Sequence, residues 1–203
     1  MRCRHPGVDV TVVGAGIIGC SAAAFLAEAG ARVTVYDRSG IAAGASGRNS
    51  GVLQHPLDDR LADWHTASVA LHREVTDLPT EPEGLLILGR SSTDGLPAEL
   101  APQVLDDARE AEPLVIAEMP GVLVNTGWVV GPTALTQAWW RRAEAAGARL
   151  VTGDEAPPAG EVTLIATGAW TAGITPLYGV TARVRPRFAA RHILEEYAVD
   201  SIV

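Results

Sequence analysis

Residues 8–37 read VDVTVVGAGIIGCSAAAFLAEAGARVTVYD, and this stretch decides the fold. An apolar, β-branched run ends in the glycine turn GAGIIG at 14–19, and a helix-favouring segment then continues to Gly30. A second β-branched run, Arg32–Tyr36, is followed at once by Asp37. A strand, a glycine turn, a helix and a second strand ending in an acid are typical of a βαβ unit that binds a dinucleotide.

The three glycines of the turn have different physical roles. Gly14 permits the sharp turn out of the strand, Gly16 lets the backbone approach a pyrophosphate, and Gly19 lets the helix pack closely on the sheet. The N–H groups at the start of the helix then face the phosphates. Asp37 accepts hydrogen bonds from a ribose and its charge disfavours a 2′-phosphate, so these residues favour FAD or NAD over NADP.

The composition indicates a globular protein and excludes some partners. The 203 residues, 47% of them hydrophobic, can form one large domain or two small ones. The net charge of −8 and the scattered basic residues argue against nucleic acid and anionic membranes. We find no apolar run of membrane-spanning length, no signal peptide after Arg2 and Arg4, and no metal site. Cys3 and Cys20 form no disulfide framework, so we expect a reduced, cytoplasmic compartment.

The loop at 38–51, RSGIAAGASGRNSG, is longer than an ordinary turn and rich in small residues. By composition alone it is a flexible loop. The alternative is that its backbone lies along an extended ligand, with Ser46 and Arg48 meeting phosphate and Asn49 bonding a ring edge.

Three features taken together, GAGIIG at 14–19, the acid at 37 and GASGRNSGVLQHP at 44–56, resemble the FAD-dependent oxidoreductases of the D-amino acid oxidase and glycine oxidase group. A later strand that runs into ATGAW at 166–170 resembles the second flavin-domain signature of that family, although a strand ending in a glycine turn is the plain alternative. The resemblance shifts the choice from NAD to FAD.

The resemblance implies an α/β fold. It consists of a Rossmann-like FAD-binding domain, three-layered as in glutathione reductase, with an interleaved and here incomplete α+β substrate domain. Carried over position by position, the implied FAD contacts are Gly14, Ala15, Gly16, Ile17, Ile18, Gly19, Asp37, Arg38, Ala45, Ser46, Gly47, Asn49, Gly51, Val52, Leu53, Thr167, Gly168 and Trp170.

His55 is the candidate catalytic residue, since in the resembling family the chain passes near the flavin ring at this point. An imidazole there can polarise the flavin or touch the substrate. The alternative is that His55 caps the next helix or faces solvent.

Periodicity predicts the remaining elements. Residues 58–75 form a helix that buries Leu61, Trp64, Ala67, Ser68, Leu71 and Val75, and His65 and His72 lie on or beside that stripe. We expect strands at 84–89, 147–151, 161–165 and 178–184, a pair of strands at 122–124 and 127–130, and helices at 96–112 and 133–146. The second helix should bury Leu135, Trp139, Trp140 and Ala143. Trp128 either lines a substrate cavity or belongs to the core.

We assign residues 1–80 and 131–176 to the FAD-binding domain and residues 81–130 and 177–203 to a partial substrate domain. The segment 152–160 replaces a longer insertion of the family, which leaves the adenine side less covered. Members of the family approach twice this length.

The basic residues near the end of the sequence have two interpretations. They either bind a substrate carboxylate or form a solvated edge: Arg183, Arg185 and Arg187.

The function that the resemblance implies is oxidation of the C–N bond of an amino acid or amine by hydride transfer to FAD. The partners would be a small amine substrate, an electron acceptor such as oxygen or another carrier, and a partner chain or second copy. The alternative is a truncated homologue that binds FAD or its ADP half without turnover, or that needs a partner chain to complete its site. A plain NAD-binding module is disfavoured by the GASGRNSG loop.

Overall fold

The computed structural model describes residues 7–154, 156–158, 160–173, 189–196 and 201–202. They belong to two compact units: unit 1 is Met1–Ser50 with Gly131–Ala182, and unit 2 is Gly51–Val130 with Arg183–Val203. Residues 51–80, which we expected with the FAD-binding domain, fall in unit 2 in this division. The strand expected at 178–184 and the three arginines at 183, 185 and 187 lie outside the described residues.

The strands in chain order are β1 (Asp9–Val13), β2 (Arg32–Asp37), β3 (Val52–Leu53), β4 (Leu85–Leu88), β5 (Gln103–Leu105), β6 (Gly121–Val124), β7 (Trp128–Val129), β8 (Arg149–Thr152), β9 (Val162–Ile165), β10 (Ile193–Glu196) and β11 (Ser201–Ile202). The helices are α1 (Ile17–Glu28), α2 (Asp59–Arg73) and α3 (Pro132–Ala145). Short 3-10 turns occupy Ala45–Gly47, Ala98–Leu100, Ala108–Glu110 and Gly168–Trp170.

Unit 1 is built on a four-stranded sheet of order β8-β2-β1-β9, in which every pairing is parallel. Val12 and Val35 lie in its centre with no exposed surface. Continuous β-branched runs suit such a sheet because parallel strands are covered on both faces. This confirms the α/β class and the βαβ unit at its start.

Helices α1 and α3 pack against each other in unit 1. Ala23 and Ala24 of α1 are fully buried, and the Phe25 ring lies 5.3 Å from that of Trp139 on α3. Arg142 Nε donates to Glu28 Oε1 at 2.6 Å beside this contact. The predicted burial of Leu135, Trp139, Trp140 and Ala143 on α3 is confirmed.

Unit 2 contains a five-stranded mixed sheet of order β11-β10-β4-β6-β5 and a small antiparallel pair of β3 and β7. Strand β4 lies parallel to β10 and antiparallel to β6. Its side chains alternate between two cores: Leu85 and Ile87 pack with Val122, whereas Leu86 packs with Ala108. The predicted strand at 84–89 is therefore confirmed.

The predicted helix at 96–112 is wrong. The segment instead contains two 3-10 turns and strand β5. Pro97 and Pro102 have no backbone N–H, and Pro102 would stand inside the helix, where it removes a hydrogen bond and clashes with the preceding turn. Ala101, with φ of +46°, reverses the chain between the first turn and the strand.

The predicted pairing of 122–124 with 127–130 is also wrong. Strand β6 pairs with β4 and β5, whereas β7 pairs with β3. Gly127 adopts a φ of +96° between them, and its carbonyl accepts from the N–H of Glu83 at 2.8 Å. This backbone turn directs the two strands to different partners.

Helix α2 forms where predicted, but its buried face differs. Leu61, Trp64, Ala67 and Ser68 are exposed, with 77% of Trp64 accessible, and Val69 is the buried residue of the helix. The face that is covered carries His65, whose ring contacts His55 and Trp128. The face of α2 that is buried is therefore determined by contacts with residues elsewhere in the chain, and not by the apolar periodicity of the helix.

None of the helices in the described part of the chain combines the length and the apolar character needed to cross a bilayer.

Glu112 is a buried carboxylate that ties two segments of unit 2 together. Only 1% of the residue is exposed. Its Oε1 accepts from Leu114 N at 3.2 Å, and its Oε2 accepts from the N–H groups of Arg191 and His192. Burial alone would raise the pKa of Glu112, but these backbone hydrogen bonds outweigh it and lower the pKa below 4.5.

We predict that Glu112→Gln lowers the free energy of unfolding by about 1–3 kcal/mol near neutral pH, because an amide N–H₂ would face N–H donors. In the native protein this stabilisation is present above pH 4.5 and is lost as the pH falls through the lower folded-state pKa. The difference in unfolding free energy between the native protein and the variant, measured by urea unfolding, should therefore shrink in acid.

The control is Glu99→Gln, at an exposed position, which should change stability by less than about 0.5 kcal/mol at either pH. Equal effects of the two substitutions would contradict the role of Glu112.

Candidate functional site

The glycine turn of unit 1 is closed by backbone contacts that exclude a side chain. Gly14 has a φ of +111° and donates from its N–H to the carbonyl of Tyr36 at 2.7 Å. A Cβ at Gly14 would collide with the carbonyl of Ala166, and one at Gly19 would collide with that of Gly14. The turn can therefore pass between β1, β2 and β9 only with glycine at these positions.

The N-terminus of α1 receives a cap from a distant loop. Gly16 is the N-cap residue and has no side chain to satisfy the first N–H groups of the helix. Ser46 Oγ accepts from Ile17 N at 2.9 Å. A Cβ at Gly16 would stand 2.9 Å from the same oxygen. Because Ser46 Oγ accepts this bond, its hydroxyl proton remains available to a neighbouring acceptor.

The loop that carries Ser46 is anchored on both sides. Asn49 Nδ2 donates to Ala45 O at 3.0 Å across the 3-10 turn, and Ala42 N donates to Ala15 O at 3.0 Å. From α3, Thr133 Oγ1 donates to Gly47 O at 3.4 Å. Hydrogen bonds to α1, at Ile17, and to α3, at Thr133, thus hold the loop in place.

Asp37 ties the glycine turn to the end of β2. Its Oδ2 accepts from Ala15 N at 2.8 Å, and its Oδ1 accepts from Ser39 N at 2.8 Å and Gly40 N at 2.9 Å. An ionised carboxylate offers about four acceptor positions. Asp37 therefore has capacity for one further donor, such as a ribose hydroxyl, while it orders the turn.

On the far side of the turn, β9 continues into the residues of the second signature. Ala166 N donates to Val13 O at 2.8 Å, and the hydroxyls of Thr167 and Thr171 lie 2.8 Å apart. The Trp170 ring packs so closely on Gly44 that a Cβ there would come within 3.1 Å of it.

These segments enclose a cavity of about 610 Å³ in unit 1. It lies at the carboxyl ends of the four parallel strands, and each strand contributes residues that directly follow it: Gly14 after β1, Arg38 after β2, Gly153 after β8 and Ala166 after β9. In parallel α/β sheets, ligands bind at this edge.

The cavity includes part of the expected set of FAD contacts. Those that line it are Gly14, Gly16, Ile18, Asp37, Arg38, Ala45, Ser46, Thr167, Gly168 and Trp170. Ala15, Ile17, Gly19, Gly47 and Asn49 belong to unit 1 but do not line the cavity, and Gly51, Val52 and Leu53 belong to unit 2. Lining residues absent from the expected set are Val13, Tyr36, Ser39, Ala43, Gly44, Arg48, Gly153, Asp154, Ala156, Pro157, Ala166 and Ala169. Gly153, Asp154, Ala156 and Pro157 could have been found from the sequence, because they follow a strand that was expected to be parallel.

Two of the charged residues that line the cavity, Arg38 and Asp154, lie near each other. Arg38 Nε is 4.0 Å from Asp154 Oδ1, and both side chains are largely exposed.

Cys20 is buried beneath the turn, where burial and the nearby charge of Asp37 raise the pKa of its thiol to about 12. Cys20 is therefore an inert packing residue.

His55 lies in unit 2 and is only 3% exposed. Its backbone N–H donates to the buried Thr126 Oγ1 at 2.8 Å, and its Nδ1 accepts from Leu57 N at 3.1 Å. The side-chain cap of α2 is Asp58, which accepts from Arg60 N. His55 is thus neither the cap of that helix nor a solvent-facing residue.

The family model described as FAD dependent oxidoreductase, DAO, matches residues 9–196, and the chain belongs to this family. It is 32% identical over 166 residues to the tRNA 5-methylaminomethyl-2-thiouridine biosynthesis bifunctional protein MnmC of Burkholderia thailandensis, a match that covers 70% of this chain and 25% of that protein. Family members are FAD-dependent oxidoreductases.

The solved structures that are similar in fold include a glycine oxidase and a glycerophosphate oxidase. Glycine oxidase from Geobacillus kaustophilus matches with a TM-score of 0.65 and 26% identity, covering 82% of this chain and 57% of that one. L-α-glycerophosphate oxidase from Mycoplasma pneumoniae, solved with FAD bound, matches with a TM-score of 0.61 and 20% identity, covering 72% of this chain and 44% of that one. The chain thus spans about half the length of these structures and about a quarter of MnmC.

We predict that Ser46→Ala lowers the free energy of unfolding by about 1 kcal/mol, because Ile17 N–H loses its acceptor at the helix N-terminus. Urea unfolding followed by circular dichroism measures this loss. Ser50→Ala, at an exposed position near the end of the same loop, is the matched control and should shift stability by less than about 0.5 kcal/mol. If both variants were as stable as the native protein, the Ser46 bond would not anchor the loop.

Proposed function

We propose that the chain binds FAD in the unit 1 cavity and acts in the oxidation of the C–N bond of an amino acid or of a primary or secondary amine. The observation that carries the proposal is the helix N-terminus of α1, which opens on a cavity at the carboxyl edge of a parallel sheet without any side chain at Gly16. Such an arrangement attracts phosphate through N–H groups and the helix dipole.

The residues present fit FAD. Gly16 leaves room for a pyrophosphate beside the first N–H groups of α1, and the hydroxyl proton of Ser46 supplies a further donor there. Arg48 lines the same cavity and brings a positive charge. Asp37 keeps one acceptor position for an adenosine ribose. Bound flavin supplies the acceptor for a hydride from the carbon next to nitrogen.

The substrate class is supported by the relatives. Glycine oxidase is named for oxidation of an amino acid, and MnmC for the formation of a methylaminomethyl group on tRNA. In the proposed function His55 contacts the substrate, because it follows the expected flavin contacts Gly51, Val52 and Leu53 by two residues. Oxygen or another carrier then accepts the electrons. We keep the cytoplasm as the proposed compartment on the sequence argument from the cysteines.

A second candidate function is binding of FAD, or of its ADP half, without turnover unless a partner chain completes the site. The observation in its favour is that the chain spans 57% of the similar glycine oxidase and 44% of the glycerophosphate oxidase. The segments that hold the pyrophosphate and the adenosine ribose in the proposal nevertheless all lie in unit 1.

The two candidates are separated by the visible spectrum of the purified chain with added FAD, followed by anaerobic titration with D-amino acids, glycine and sarcosine. The proposal predicts flavin bands that co-purify or are taken up, and that bleach with at least one of these amines. Bands that persist with every amine would favour the binder without turnover. A chain that takes up no flavin would contradict both.

Gly16→Ala tests the binding site itself. The new Cβ would stand 2.9 Å from Ser46 Oγ and intrude where the backbone approaches phosphate. We expect FAD affinity to fall by about tenfold or more, which corresponds to about 1.4 kcal/mol. Gly131→Ala is the matched control: both glycines are helix N-caps with a φ of −75°, but a Cβ at Gly131 meets an ordinary contact at 3.4 Å. Equal affinities of the two variants, measured by flavin fluorescence titration, would count against the site.

A further inference from the structure

His65 of α2 is an enclosed imidazole with an unused ring nitrogen. Its ring meets that of His55 edge-on, with 5.1 Å between centroids, and stacks at 6.4 Å on Trp128. Its Nε2 is inaccessible to solvent and has no hydrogen-bond partner in the part of the chain that the structure describes. Buried polar atoms without partners are rare in folded proteins, so each one requires an explanation.

The His55 ring is held by a strained turn. Leu57 donates from its N–H to His55 Nδ1 while its own φ is +55°, a conformation that a branched residue seldom adopts. The bond requires an unprotonated Nδ1, so neutral His55 carries its proton on Nε2. Strained backbone persists only where the surroundings fix it. The ring packed against His55 is that of His65.

The charged surroundings of His65 disfavour a second proton. The titratable groups that face it from its neighbours are His55, on the turn before α2, and Arg73, whose guanidinium lies 5.3 Å from the Trp128 ring. Asp58 and Arg60 at the start of α2 pair with each other. Burial, and to a lesser extent His55, lowers the pKa of His65 below 6.5. His65 is therefore neutral at pH 7 and takes up a proton only in more acidic solution.

We propose that His65 is a positioning residue for His55: its neutral ring holds the His55 ring against the Leu57 amide, and its protonation releases that ring and opens the turn at 54–57. A charged imidazole needs a hydrogen-bond acceptor or a counter-ion, and the buried Nε2 of His65 has no hydrogen-bond partner among the residues that the structure describes. The link to amine oxidation rests on the proposed function, in which His55 contacts the substrate. The positioning itself is a property of unit 2 and needs no flavin.

The test is amide hydrogen exchange in the full chain without FAD, followed by NMR between about pH 7.5 and about pH 5.5. Leu57 N–H reports on the His55 ring, whereas His55 N–H, bonded to Thr126, reports on the integrity of unit 2. We expect the protection factor of Leu57 to fall, by at most about tenfold per pH unit, as the pH drops from the ordinary histidine range to the lowered pKa of His65, and then to level off, with that of His55 unchanged. Parallel loss at both amides would overturn the proposal, since it would mean general unfolding.

Two variants on the same helix assign the effect. His65→Phe keeps an aromatic ring against His55 but cannot take up a proton, so Leu57 protection should become independent of pH. His72→Phe is the matched control, because burial lowers the pKa of His72 as well but His55 is not among the causes. It should retain the response of the native protein. A response that persists in His65→Phe would overturn the proposal and assign the change to protonation of His55.

A measurement on the native protein keeps the test valid if His65→Phe does not fold. Ring nitrogen shifts of each histidine give its own titration midpoint. The pH at which Leu57 amide protection changes must follow the titration of the His65 ring. If it followed the titration of the His55 or His72 ring instead, the proposal would be overturned. Because no flavin is present, this result is independent of whether the chain binds FAD or oxidises amines.

Discussion

The hydrogen bond from Ile17 N to Ser46 Oγ joins the two segments on which the candidate phosphate site of unit 1 depends. It joins the N-terminus of α1 to a loop that lies 29 residues further along the chain, and the bonds from Ala42 to Ala15 and from Thr133 to Gly47 hold the same loop. With the loop in place, Gly44, Ala45, Ser46 and Arg48 line the cavity. The bond also leaves the hydroxyl proton of Ser46 free for an anion at the positive end of the helix.

A second constraint is that the backbone N–H groups at the same edge of the sheet need hydrogen-bond acceptors, while the edge must still leave room for a ligand. Asp37 meets both needs, since three backbone N–H groups use its carboxylate and one acceptor position is left. Gly14 and Gly16 leave the space that the edge requires. A Cβ at Gly14 would collide with the carbonyl of Ala166, and a Cβ at Gly16 would lie too close to Ser46 Oγ. The small residues of the turn are therefore a condition of the fold as much as of binding.

Local patterns in the sequence predicted the elements whose form depends on local chemistry. The strand, glycine turn, helix and acid at 8–37, and four of the buried residues of α3, follow from periodicity and turn chemistry alone. Periodicity failed at 96–112, where Pro102 overrides apparent helical spacing, and on α2, where contacts with Trp128 select the buried face. The cavity lining at Gly153, Asp154, Ala156 and Pro157 was not among the expected contacts, although it follows a strand that was expected to be parallel.

The central claim is that the α1 N-terminus and the Ser46 loop together form the phosphate site of a flavoprotein. The most direct measurement is a crystal structure of the chain grown with FAD. The account predicts a pyrophosphate within hydrogen-bond distance of the first N–H groups of α1 and of Ser46 Oγ, with the ribose beside Asp37. Pyrophosphate bound elsewhere, or FAD bound with the turn at 14–19 unoccupied, would contradict it.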